Sequence, residues 1–290
     1  MGKEPFLLYL VRGPDADWWN KTGAAWLKRR GWDVISAQDP VCWACNDEFP
    51  ISQIDWKYLL ERAHARIERH GKIDHDSVLF KAAGLTLIDD LLLFMSLYSG
   101  EYCHWVWRER GDSIGSSTAT KIGFSLGQDR RTWAGPRNEA LKFFVKARAI
   151  VPTFGTSQLQ LALLWFFTVL EAGRPTGRRI VEAGILWTAL EVQAKSLGIA
   201  GHKHKGGHGI KFGMVEDLLC GQKFPPVPSL ERLYRLRNDA FHDGRLSNLS
   251  DSDAFKALKA GRALVRAQML NLLGMQHPDF GRRFVKLYAS

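Results

Sequence analysis

The sequence predicts an α+β protein in two parts, an N-terminal mixed α/β domain over residues 1–150 and a C-terminal all-α helical bundle over residues 151–290. Three observations lead there. An apolar run, Phe6-Leu7-Leu8-Tyr9-Leu10-Val11, reads as a strand buried on both faces. The stretch from Gly111 to Gly135 is rich in Gly, Ser and Thr and reads as strands and turns. Past Arg148 the texture changes to long helical periods with Gly and Pro only at the joints, which places the boundary near residues 150–155. A chain of 290 residues that is 46% hydrophobic is long enough for two domains, each with its own core.

In the first part, Pro5–Arg12 is expected as a strand, Asp15–Arg30 as a helix capped by Asp15 or Asp17, and Trp32–Ser36 as a second strand, a βαβ-like opening. Asp39–Pro50 is a loop by composition. Ile54–Arg69 is expected as a basic helix with Leu59, Leu60, Ala63 and Ile67 on one face. Leu85–Tyr98 is almost wholly apolar and is expected as a buried helix, or a helix followed by a strand. In the second part the helices are Ser157–Ala172, Arg178–Leu197, Ile210–Leu219, one capped by Ser229 that carries Leu230, Leu233, Tyr234, Arg237 and Phe241 at helical spacing, and Ser252–Leu273.

The net charge of +10 permits polyanionic partners, because each phosphate neutralised by Lys or Arg releases condensed counterions. Four cysteines, Cys42, Cys45, Cys103 and Cys220, are too few and too scattered for a disulfide scaffold and suit a reducing, cytoplasmic compartment. The apolar run at the N-terminus is too short for a signal-peptide core, and Leu159–Leu170 is too short and polar to span a bilayer, so no membrane association is expected.

Chemistry concentrates in Arg237-Asn238-Asp239-Ala240-Phe241-His242, followed by a break at Gly244. Arg237 sits on the apolar stripe of its helix, where a guanidinium must be paired or face a cleft. His242 follows five residues on, about 140° round a helix, so the two share a rim of the helix end. These residue types suit RNA cleavage without a metal. A neutral imidazole can take the proton of a ribose 2′-OH, and an arginine can bond two phosphate oxygens as charge grows at phosphorus. The product would be a 2′,3′-cyclic phosphate, and DNA would resist the reaction for want of the 2′-OH.

This segment resembles the motif of the HEPN superfamily, in which an Arg, usually followed by a polar residue, precedes a His with four to six residues between them. The resemblance covers about residues 155–275. The preceding Leu186–Gly198, LWTALEVQAKSLG, is similar to the second helix of Apea-like HEPN domains, whose Trp or Phe and whose Glu stand where Trp187 and Glu191 are here. The resemblance implies a HEPN-like helical bundle that works as a homodimer, with two motifs meeting across the interface, and a metal-independent endoribonuclease without cofactor. It implies Arg237 and His242 as catalytic, with His242 as general base and Arg237 as stabiliser of the phosphate, Asn238 as a residue that supports or contacts the phosphate, and Glu191 as a residue orienting Arg237 or His242. Its targets would be tRNA, rRNA or mRNA, and many such proteins are toxins or phage-defence effectors controlled by an antitoxin or a phage-derived trigger. The alternative is a non-catalytic helical dimer that binds RNA or a partner protein. The N-terminal half is then expected to regulate, sense or position substrate.

Weaker constellations carry bland and sharp readings together. Cys42-Trp-Ala-Cys45, with His64, suggests zinc or HNH-type chemistry, but a structural zinc needs a second pair of ligands, and two buried thiols are the better reading. His202, His204 and His208, among Lys203 and Lys205, read as a flexible basic linker rather than a metal loop. Lys203, Lys205, His208 and, after the motif, Arg245 are the residues expected to grip RNA backbone. Gly111–Gly127 lacks the spacing of a phosphate loop. Tyr102, Trp105 and Trp107 are expected in the core or an interface rather than as a base-stacking platform.

Overall fold

The computed structural model describes residues 6–36, 63–72, 74, 76–79, 85–100, 102–112, 115–120, 133–154, 179–203, 209–221, 228–241 and 249–275. The chain is α+β and packs as two compact units, Met1–Ser77 with Ala82–Phe144, and Val78–Lys81 with Val145–Ser290.

The first unit is built on a five-stranded antiparallel sheet of β1 (Phe6–Arg12), β2 (Asp33–Ser36), β3 (Ala65–His70), β4 (His104–Asp112) and β5 (Gly115–Thr120), in the order β2-β3-β1-β4-β5. Between β1 and β2 lie α1 (Ala16–Trp18), a π-helical turn (Trp19–Gly23) and α2 (Ala24–Lys28); between β3 and β4 lies α3 (Leu87–Ser99). With β1 central between β3 and β4, this is the split βαβ order of a ferredoxin-like sheet, extended past β4 by β5.

Two expectations are corrected. The opening is not a contiguous βαβ unit, because β3 inserts between β1 and β2 and pairs antiparallel with both. Ala65–Arg69 is not the end of a helix but most of β3, which extends to His70. The reason is long-range. β1 is buried on both faces and needs a ladder partner on each side, and Ala-Arg-Ile-Glu-Arg-His alternates as a strand does. Ala65 and Ile67 are buried opposite Val11 and Tyr9, while Arg66 pairs with Glu68 two residues on, at 2.8 Å, on the other face. The rest of the expected Ile54–Arg69 helix lies almost wholly outside the described residues, as do the Asp39–Pro50 loop and Ser157–Ala172.

Polar groups key this unit together. Asp15 caps α1 by accepting from Trp18 N at 2.7 Å. At α3 a capping box forms from Thr86, whose Oγ1 accepts from Ile88 N at 3.2 Å, and Asp89, whose Oδ2 accepts from Thr86 N at 2.9 Å. The same Asp89 oxygen accepts from the Tyr9 hydroxyl at 2.8 Å, tying the central strand to the helix. Ring contacts of Phe144 with Trp26, at 5.6 Å, and with Phe94, at 5.5 Å, seat α4 (Ala140–Ile150).

The second unit holds α5 (Arg179–Ser196), α6 (Ile210–Gly221), α7 (Pro228–Phe241) and α8 (Asp251–Leu272). α5 packs against α6, α7 and α8, and α7 also against α8. α7 starts at Pro228 rather than after a Ser229 cap, because proline's fixed φ suits a first helical position. Ser250 caps α8, its Oγ accepting from Asp253 N at 3.1 Å. Among the described residues, no helix is long and apolar enough to cross a membrane.

Burial pushes the Asp89 carboxyl above its ordinary range, against the opposing hydrogen bonds from Thr86 and Tyr9. A carboxyl raised in the native state holds its proton better folded than unfolded. Its contribution is therefore fully present below the ordinary carboxylate range and is lost as pH rises through the folded value. Urea melts taken from pH 4 upward are expected to show this loss, and Asp89→Asn is expected to flatten it. Tyr9→Phe, which removes one hydrogen bond to the buried carboxylate, is expected to cost about 1–3 kcal/mol at neutral pH in the same melts.

Candidate functional site

The candidate site lies on the C-terminal turns of α7, and its geometry begins with the aromatic core beneath them. Trp187 of α5 is 0% exposed and stacks on Phe212 of α6 at 5.8 Å, and Tyr234 of α7 meets both rings, at 4.7 Å from Trp187 and 5.2 Å from Phe212. Three helices thus converge on one cluster. Leu186 of α5 and Leu233 of α7 pack against α8 at Gly261, and the Arg262 guanidinium pairs with Glu182 at the start of α5.

Arg237 sits one turn beyond Leu233 and is half-buried. Its Nη1 donates to Asn238 Oδ1 at 2.8 Å, so the guanidinium is turned along the helix toward its neighbour. The amide oxygen steadies a planar, multi-donor guanidinium, the group whose fork geometry suits it to phosphate. Phe241 occupies the last position of α7 and was expected on the buried stripe, yet it is 58% exposed. It lies on the same helical face as Leu230, Leu233 and Tyr234, but α7 carries that face past the edge of the core. One edge of its ring, Cδ2, Cε2 and Cζ, lies against Gly184 of α5, where there is no room for a side chain.

Glu191 is buried, but the structure does not bring it to Arg237. It accepts from the Trp187 indole Nε1 at 2.7 Å, and Lys211 Nζ of α6 lies 3.9 Å from its other oxygen. Those are its polar contacts among the described residues, and they make it a frame for Trp187; His242, the other residue it is implied to orient, lies outside the described residues. Sequence reasoning named Trp187 and Glu191 but missed their bond. An i, i+4 Trp-Glu pair on a helix with apolar flanks was the available signal.

Of the residues expected to grip RNA, Lys203 is exposed and follows His202, whose Nδ1 lies 3.0 Å from Asp217 and whose Nε2 lies 3.6 Å from Glu216 on α6. The backbone of His202 lies directly on Gly213 of α6, a close approach that only glycine permits. His242, Lys205, His208 and Arg245 lie outside the described residues, as do His204, Cys42 and Cys45. His64, invoked for zinc, accepts from Gly13 N through Nδ1 at 2.9 Å, which requires the neutral ring to carry its proton on Nε2. Among the described residues, no three His, Cys, Asp or Glu side chains gather as a metal site would need.

No protein-family profile matches this sequence, and neither the curated proteins nor the solved structures contain a match.

Two substitutions test this frame. Glu191→Ala leaves the Trp187 N–H buried without an acceptor and is expected to cost about 1–3 kcal/mol. Glu191→Gln keeps an acceptor oxygen and is expected to cost less, with both read from urea melts followed by tryptophan fluorescence. Gly213→Ala drives a methyl into the His202 backbone and is expected to destabilise by about 1–3 kcal/mol in the same assay.

Proposed function

We propose that the protein is a metal-independent RNA endonuclease of HEPN type, with Arg237 and His242 as its catalytic pair and Asn238 supporting the arginine. The observation that carries this reading is the Arg237–Asn238 hydrogen bond at 2.8 Å on a half-buried rim of α7. A guanidinium held by an amide oxygen costs less ordering entropy when it meets a phosphate, and contacts that strengthen as charge grows at phosphorus are the ones that accelerate the reaction. The sequence puts His242 one position past the end of α7. The helices beneath Arg237, α5 with Trp187 and Glu191 and α7 with Leu233 and Tyr234, supply the kind of rigid support that a catalytic pair requires.

In this reading the His242 imidazole takes the 2′-OH proton, and the 2′-oxygen attacks phosphorus. The 5′-oxygen leaves with the P–O5′ electron pair and takes a proton from water, and Arg237 binds the non-bridging oxygens as their charge grows. Products carry 2′,3′-cyclic phosphate and 5′-hydroxyl ends. Homodimerisation, with two motifs facing one cleft, and control by an antitoxin or a phage-derived trigger belong to the same proposal, as does a cytoplasmic site of action. The excess of positive charge on the chain, +10, supports a polyanionic substrate.

Purified protein is incubated with tRNA and total RNA in EDTA, and the ends are mapped. Cleavage leaving cyclic phosphate ends is expected, with no cleavage of DNA of the same sequence. His242→Ala is expected to slow it by about 10²–10⁴. Arg237→Lys, which keeps the charge but loses the fork, is expected to restore little of what Arg237→Ala removes. Asn238→Ala is expected to cost roughly tenfold. RNA that is bound but left intact by the wild-type protein would instead support a helical module that binds without cutting.

A further inference from the structure

Phe241 is a large apolar side chain left 58% exposed one residue before His242, and nothing in the catalytic roles above uses it. It stands four residues after Arg237 on α7, which places the two side chains on one face, one turn apart. Its ring is not loose. The Cδ2, Cε2 and Cζ atoms abut Gly184 of α5, which holds the ring against that helix. Half-exposed Val181, one turn before Gly184, extends the apolar ground beside it.

An exposed ring held by one edge, one helical turn from a phosphate-binding guanidinium, has the layout of a nucleotide subsite. The guanidinium takes the phosphate, and the ring takes a base attached to the neighbouring ribose. We propose that Phe241 is a base-stacking residue that receives an unpaired nucleobase next to the phosphate held by Arg237, making the protein selective for single-stranded RNA over duplex. This rests on Arg237 being a phosphate-binding residue. Stacking suits the position because every base offers a π-face, and a fixed ring loses little entropy on meeting it. The attack that forms a cyclic phosphate also needs the ribose free of helical geometry, which an unstacked, captured base provides.

The test uses the full chain and single-stranded RNA carrying one 2-aminopurine, whose fluorescence falls when it stacks. Wild-type protein is expected to bind the RNA and quench the label, and Phe241→Tyr to do the same. Phe241→Leu keeps an apolar group over Gly184 but has no aromatic face, and it is expected to weaken binding roughly tenfold and to lose most of the quench. Circular dichroism confirms that each variant is folded. Binding and quench that are equal in wild type and Phe241→Leu overturn the proposal. So does a wild-type dimer that Phe241→Leu dissociates, since the ring then belongs to contact with a second copy. Cleavage in EDTA is scored separately on the same samples. A ring-dependent quench without cleavage supports stacking while removing the nuclease reading, and cleavage without a ring-dependent quench does the reverse.

Discussion

An indole N–H buried without an acceptor is costly, and in the helical unit the way Trp187 avoids that cost organises the rest. Its indole donates to Glu191, four residues along the same helix. The cost of burying a carboxylate is then offset by the indole bond and by the Lys211 ammonium arriving from α6. With the indole locked, Phe212 and Tyr234 have one surface on which to close, and α6 and α7 are set against α5 through it. The orientation of Arg237 follows from Tyr234, one turn before it, being part of that cluster.

The sequence made some of this legible and hid some, for identifiable reasons. The uninterrupted apolar run of β1 announces a strand sealed on both faces, and the leucine spacing of α7 announces its helix, since both patterns are local. Thr86 and Asp89 carry the capping-box spacing that starts α3. β3 was not legible, because Leu59, Leu60, Ala63 and Ile67 also fit a helical face. What selects the strand is the ladder offered by β1 and β2, which lie far off in sequence. The exposure of Phe241 was hidden for a different reason. Periodicity reports which face a residue occupies, not whether the core extends that far along the helix. The bond of Glu191 to Trp187 was not legible, because a buried carboxylate near a candidate site looks the same from sequence whether it serves the site or its scaffold.

In the first unit, the Tyr9–Asp89–Thr86 contacts join the middle of the sheet to the first turn of α3, so one carboxylate serves as a helix cap and a strand anchor at once. Burial pushes the Tyr9 hydroxyl, next to that carboxylate, well above its ordinary range, which keeps it a donor. The carboxylate that caps the helix therefore also fixes which way the Tyr9 proton points.

The strand order has one consequence for how this protein meets others of its kind. The two strands at the ends of the order are β2 and β5. β2 is four residues long and opens with the exposed Asp33, and β5, Gly-Ser-Ser-Thr-Ala-Thr, has no large apolar side chain. Short or polar end strands make poor templates for a further strand, so neither end of the described sheet favours growth from copy to copy, and a surface of side chains can be tuned one residue at a time in a way that a backbone ladder cannot.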